Sequence, residues 1–441
     1  MSHGPTAAQR AAYDARMPTS SGSTPPSPSP GPHRTTPLVH ATMRTANLSL
    51  VLRHLRTHGG RPRARLAEET GLSKASMTNL VAELESRGLV RSGAAARDGH
   101  VGRPGIEVAV DPDRVTGLGV EVNVEYIAVV VVDLGGRVRH RSSVPTPPPG
   151  AGAARSGELL DAVAAQIAGG LAASAEQGLW TAGITVAAPG VLDDSEGAVH
   201  FAATLGWSQV PLREELERRL GPGTPAIALG NDAKLSALAE APVLAARGIH
   251  DMVFLTGDVG VGAGIVSDGR LLRGWSGSSG EVGHMPVDPE GPDCRCGRRG
   301  CWETLVGLEA VLGVLDPEDP ARRTDLPILE RLAHLQRLLD AGDPAVTARF
   351  SRVSADLARG AGILVDVLDP RVIVLGGYFG VFADTLRGPL AEALAARSIS
   401  ALGPVEVVLP THGLDSAAHG GAAAALERIL EDPTLAPRLA D

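Results

Sequence analysis

The hydrophobic pattern of the 441-residue chain changes period near residue 115, and this change constrains the fold more than any other feature. Before it, apolar residues recur at helical spacing, as Leu48, Val51, Leu52 and Leu55 and again as Met77, Leu80, Val81 and Leu84. After it come short runs rich in β-branched residues, such as YIAVVVVDL, TAGITVAAPG and RVIVLGG, spaced by helical segments such as GELLDAVAAQIAGGLAASAEQ. Antiparallel strands opening a mixed α/β run, followed by a second run of the same kind, predict a two-lobed α/β body over 115–441. Residues 1–42 contain PTSSGSTPPSPSPGPHRTTP, which has too little apolar surface to offset its ordering entropy and reads as a disordered Pro/Ser-rich tail.

Residues 43–110 predict a winged helix-turn-helix. A first helix ends at His58-Gly59-Gly60, and a short RARLAEET helix ends at Gly71. Ser73 then caps a third helix that stops at Gly88. Two strands, LVR onward and IEVAV, flank the turn GAAARDGHVGRPG as a wing. Charge supports a polyanion partner for this part alone. Residues 34–105 carry twelve Arg or Lys against five Asp or Glu, although the whole chain is at −9. The residues expected to meet operator DNA are Ser73, Lys74, Ser76, Thr78 and Asn79 on the third helix, with Arg91, Arg97, His100 and Arg103 on the wing.

All three cysteines fall between 294 and 301, in the pattern His284-x9-Cys294-x-Cys296-x4-Cys301. One imidazole and three thiolates form a closed tetrahedral set that suits structural Zn²⁺ and leaves no position for an activated water. Three cysteines cannot build a disulfide framework, no apolar run reaches the roughly 20 residues of a membrane span, and no secretory signal opens the chain. A cytoplasmic protein with no membrane partner is expected.

The segment GEVGHMPVDPEGPDCRCGRRGCWET closely resembles the signature of the ROK family, named for repressors, open reading frames and kinases. The resemblance covers roughly 115–441 and implies an actin-like, sugar-kinase fold. The preceding winged helix, with Gly102-Arg103-Pro104 after the wing, resembles that of the family's repressor branch. Position by position, Asn231 and Asp232 resemble its sugar-binding Asn and catalytic-base Asp. Glu281 and His284 resemble its ExGH sugar contacts, and Glu303 its sugar-binding Glu, while Ala188-Pro189-Gly190 resembles a turn near the sugar pocket.

The nucleotide half departs from that pattern. Kinases of the family carry DxGGTK in the first β-turn, where this chain has Glu121-Val122-Asn123-Val124-Glu125. Asp133-Leu134-Gly135-Gly136-Arg137 lies one turn later and reads as an ordinary hairpin. In LTGDVGVGAG, Asp258-Val259 stands where kinases have Gly-Thr, and a carboxylate there repels phosphate. Leu375-Gly376-Gly377 resembles a nucleotide-side motif. The expectation is a sugar-responsive repressor, dimeric or larger, that binds operator DNA and a sugar or sugar phosphate. The alternatives are a DNA-binding sugar kinase with Asp232 as general base, and a repressor controlled by a protein partner.

Overall fold

The structure is a computed structural model that describes residues 40–95, 106–147, 153–275, 277–323, 326–397 and 403–439. Contacts divide the chain into Met1–Arg44, of which the first turn of one helix is described, and Thr45–Asp441. The expected tail lies almost wholly outside the described residues, as do Arg97, His100 and Arg103.

Helix α1 (His40–His58), strand β1 (Arg61–Pro62), helices α2 (Arg63–Thr70) and α3 (Lys74–Ser86), and strands β2 (Val90–Ala95) and β3 (Ile106–Val110) form the winged helix-turn-helix. Gly71 ends α2 at φ 71°, a left-handed cap that turns the chain toward α3. Ser73 accepts the Ser76 N–H at 3.1 Å, which is the expected N-cap. The sheet has a third strand, β1, paired with β3. Two residues ending in proline are too short to carry a strand pattern.

The body contains two five-stranded sheets. In the first, β4 (Val115–Val122), β5 (Tyr126–Asp133) and β6 (Val138–Pro145) run antiparallel to one another. Helix α4 (Ala153–Glu176) leads to β7 (Trp180–Ala188), parallel to β4. A small sheet of β8 (Val191–Asp193), β9 (Ala198–Ala202) and β10 (Trp207–Val210) follows, then α5 (Leu212–Leu220) and β11 (Ile227–Asn231). The sheet order is β11-β7-β4-β5-β6.

Helix α6 (Asp232–Ala245) enters the second lobe, where β12 (Met252–Gly257), β13 (Val261–Ser267) and β14 (Arg270–Leu271) repeat the antiparallel opening. After α7 (Glu303–Val306), α8 (Leu308–Leu312), α9 (Ile328–Asp340) and α10 (Pro344–Leu368), β15 (Val372–Gly377) pairs parallel with β12. Then follow α11 (Tyr378–Val381), α12 (Ala383–Arg397), β16 (Glu406–Val408) and α13 (Ser416–Glu431). The second sheet reads β14-β13-β12-β15-β16. Counted in chain order, both sheets have strands 3-2-1-4-5. The second run of strands therefore rebuilds the topology of the first.

Helix α13 joins these parts. It packs on β4, β7 and β5 of the first sheet and on α6 of the second lobe. Gly119 and Gly420 permit the approach, since a Cβ on Gly119 would stand 1.8 Å from the Ala418 carbonyl oxygen and one on Gly420 1.8 Å from that of Leu235. At its far end, Leu426, Ile429 and Leu430 share one core with Leu48, Leu52, Met77 and Leu84 of the winged helix.

Candidate functional site

Strand β11 ends in Asn231, whose side chain caps α6 by accepting the Lys234 N–H at 3.2 Å. Its amide donates to the Gly190 carbonyl at 3.3 Å, which brings the Ala188-Pro189-Gly190 turn to the head of α6. Asp232 is the first residue of the helix. Burial, then the charge of Asp258, lifts its carboxyl to about 7. Glu281 precedes a single 3-10 turn, Val282–His284, and is raised by burial against the opposing pull of His284 and Lys234. Glu303 opens α7, with Oε1 3.4 Å from His284 Nδ1. Charge interactions link these three stretches of chain, from Asp232 at the head of α6 to Glu281, and from Glu281 to His284 and Glu303.

His284 also belongs to the second group. One donor atom from each of His284, Cys294, Cys296 and Cys301 lies within 4.8 Å of the other three. Cys294 Sγ is 3.7 Å from His284 Nδ1, and Cys296 Sγ is 3.6 Å from Cys301 Sγ. A tetrahedral ion bound at about 2.3 Å needs ligand-to-ligand edges of roughly 3.7 Å, which these two edges match, so the set could hold a metal. Gly297 and Gly300, both with positive φ, make the tight turns between these cysteines.

The turn that replaces the first phosphate loop is acidic and enclosed. Glu121, 4% exposed, accepts the Tyr126 hydroxyl at 2.8 Å through Oε1. Its carboxyl is held well above the usual carboxylate range, by burial first and by Asp258 second. Glu125 is paired with the buried guanidinium of Arg331. Asp258, where the second loop begins, accepts the Thr256 hydroxyl at 3.2 Å and is lifted to about 6 by burial. Glu121, Asp232 and Asp258 line one small cavity between the lobes, together with Gly377 and Ser416. The Asp133–Arg137 segment is the expected hairpin turn, in which Asp133 accepts the Arg137 N–H at 3.0 Å.

On the winged helix, Ser73, Lys74, Ser76, Thr78 and Asn79 are all exposed. Ser73 is used as the helix cap, and Thr78 donates to the Lys74 carbonyl at 3.0 Å. The side chains of Lys74 and Asn79 make no hydrogen bond to other described residues, and both residues are exposed. Many arginines behind the positive balance are internal braces: Arg61 and Arg65 pair with Glu69, Arg63 with Glu85, and Arg87 with Glu83. Arg91, expected on the wing, points to Asp113 at 3.2 Å. Arg53 pairs with Glu427 on α13.

The sequence pattern of the ROK family matches residues 117–428, and that of the MarR family matches 48–99. The chain belongs to the ROK family. It is similar to the xylose repressor of Bacillus subtilis, 25% identical over 401 residues that cover 89% of this chain and 98% of the repressor. Among solved structures, a ROK family transcriptional regulator, described as a homologue of the E. coli MLC protein, shares the fold at TM-score 0.68. It is 22% identical, covering 89% of this chain and 98% of its own. A ROK family glucokinase from Streptomyces griseus, solved with glucose and AMPPNP, is 25% identical at TM-score 0.57. It covers 71% of this chain and 99% of its own. The regulators span the winged helix and the body of this ROK protein, whereas the kinase covers a share close to the body alone.

Sequence reasoning named the acids at 121, 125 and 258 but missed Tyr126 and Arg331, the residues that seal this ROK protein's altered loops. Arg331 sits on α9, 206 positions from its partner Glu125, and no local motif announces it.

Proposed function

We propose that this ROK protein is a sugar-responsive transcriptional repressor. Helix α13 is the single observation that carries the reading. Its first residues, Ser416 and Ala417, line the cavity beside Asp232, and its last turns lie in the core of the winged helix. At 16 residues it spans about 24 Å, so one rigid element touches both the effector cleft and the DNA-binding fold. Sugar held by Asn231, Asp232, Glu281, His284 and Glu303 would change lobe closure. Because α13 packs on both lobes, that change reaches the winged helix and shifts operator affinity.

Residues 43–110 then form the DNA reader and 115–441 the sensor. Lys74, Ser76, Thr78 and Asn79 would face the groove, with Ser73 at the helix start and Arg91, Arg97 and Arg103 toward the backbone. Structural Zn²⁺ is the metal best suited to His284, Cys294, Cys296 and Cys301. It would fix the loop carrying Glu303 and the ring of His284, with no open position for chemistry. The protein would act as a cytoplasmic homodimer on two half-sites; among the described residues no helix is long and apolar enough to cross a membrane.

A high-affinity duplex selected from a randomised pool, then titrated with sugars and sugar phosphates, tests the reading. At least one ligand should change DNA affinity by tenfold or so, and a wide panel without effect would refute sensing.

A second reading, an active sugar kinase, draws on Asp232, since a carboxyl near 7 suits a general base. The acidic, sealed phosphate loops oppose it. A coupled ADP-release assay across hexoses should show no turnover, and turnover abolished by Asp232→Asn would reverse the assignment.

A further inference from the structure

The cavity between the lobes has a composition that a phosphate-bearing ligand does not match. Three carboxylates line it, Glu121, Asp232 and Asp258, and none of its lining residues is Lys, Arg or His. Glu121 Oε2 is buried and accepts no hydrogen bond from any described residue, although Oε1 is satisfied by Tyr126. Because this carboxyl is held well above the usual carboxylate range, its protonated form is favoured, and the unpaired buried oxygen carries an uncompensated desolvation cost until a hydrogen-bond partner arrives.

The cations in the neighbourhood are committed elsewhere. Arg331, 2% exposed, is neutralised by Glu125. Lys234 donates its ammonium to the Gly277 carbonyl and is not part of the cavity lining, although its charge reaches Asp232 and Glu281. The remaining space is roughly 10 Å³, about one water molecule. Asp258 and Asp232 are only partly covered and line this cavity.

We propose that Glu121 and Asp258 make the effector of this protein an unphosphorylated, uncharged sugar, Glu121 by pairing with a sugar hydroxyl and Asp258 by repelling sugar phosphates and nucleotides. The inference rests on the sugar-sensing reading above and narrows it from "sugar or sugar phosphate" to the neutral class. A sugar hydroxyl both donates and accepts, so it can pair with the unpartnered Glu121 Oε2 in either form of the carboxyl. A phosphate dianion would sit against Asp258 and Asp232, which are ionised above about 6 and about 7, and in this partly enclosed site the like charges repel. Asp232 links the two regions, because it stands beside Asn231 and Glu281 on one side and lines the carboxylate cavity on the other.

The test is calorimetry on the full-length, metal-loaded protein at pH 8, above the values of about 7 and about 6 for Asp232 and Asp258. Xylose, glucose and N-acetylglucosamine are each compared with their terminal phosphate esters. A free sugar should bind, and its ester should bind about 100-fold or more weakly. In Asp258→Asn the gap should shrink by about tenfold, and in Asp258→Glu it should persist. The wild-type comparison stands even where a variant fails to fold. An ester that binds as tightly as its sugar, or a gap unmoved in a folded Asp258→Asn protein, overturns this inference and leaves sugar sensing intact. If no sugar in either form binds or alters DNA affinity, the sensing reading fails, and this inference fails with it.

Discussion

Asp232 sits where a carboxylate is useful to a ligand and costly to the fold. Burial and Asp258 lift its carboxyl to about 7, and burial lifts Asp258 to about 6. Both folded values lie above the ordinary one near 3.9. The protonated folded form is therefore favoured at low pH, and that stability is lost as pH rises from about 4 through 7. Thermal unfolding at constant ionic strength should show the melting temperature falling between pH 5 and 8, and Asp232→Asn should flatten the fall. An equal slope in the variant would remove Asp232 as its source. The cysteines make a second prediction at this scale. The native protein should carry about one Zn²⁺ per chain, and Cys296→Ser should lose the metal and several degrees of melting temperature. A metal-free protein of unchanged stability would contradict it. The His–Cys cluster was legible in sequence because its cysteines are confined to one short loop. The orphaned Glu121 oxygen was not, because burial is a property of the assembled sheets.

Among the elements, α13 shows how small residues become structural requirements. Its sequence SAAHGGAAAALERIL reads as a helix, but only packing shows why it is so poor in large side chains over its first half. Gly119 on β4 and Gly420 on α13 let helix backbone approach strand and helix within the reach of a missing Cβ. Gly119→Ala should force these layers apart and destabilise the protein by about 1–3 kcal/mol, measured by chemical denaturation. A neutral substitution would mean that the sheet yields freely. The recognition helix was more legible, because capping by Ser73 and the apolar stripe are local signals. The two-residue β1 carries no such signal and depends wholly on pairing with β3.

At the scale of the whole molecule, the basic front end is fastened to an acidic body. Arg53 reaches Glu427, 374 positions away, and Arg87 donates to the carbonyls of Thr434 and Ala436. Leu430 is 1% exposed in the shared core. Leu430→Ala should cost about 2–5 kcal/mol of stability through the cavity it leaves. It should also weaken the effect of sugar on DNA binding more than it weakens sugar binding itself, as read by DNA anisotropy with and without ligand. A variant that keeps the full sugar effect would exclude this joint as the route of coupling.

The sequence by itself determined the periodicities of both parts, the three helices of the DNA reader, the His–Cys cluster and the absence of the kinases' glycine and threonine from the phosphate loops. These are short-range patterns, set by backbone geometry and by residues close together along the chain. Tertiary structure alone decided that the two sheets share one strand order and that α13 belongs to sensor and reader at once. It also decided that half a dozen arginines are braces and that three carboxyl groups line one cavity with no Lys, Arg or His among its described lining residues. The physical reason is that burial and charge pairing depend on which distant segments are brought together, and no local pattern records that.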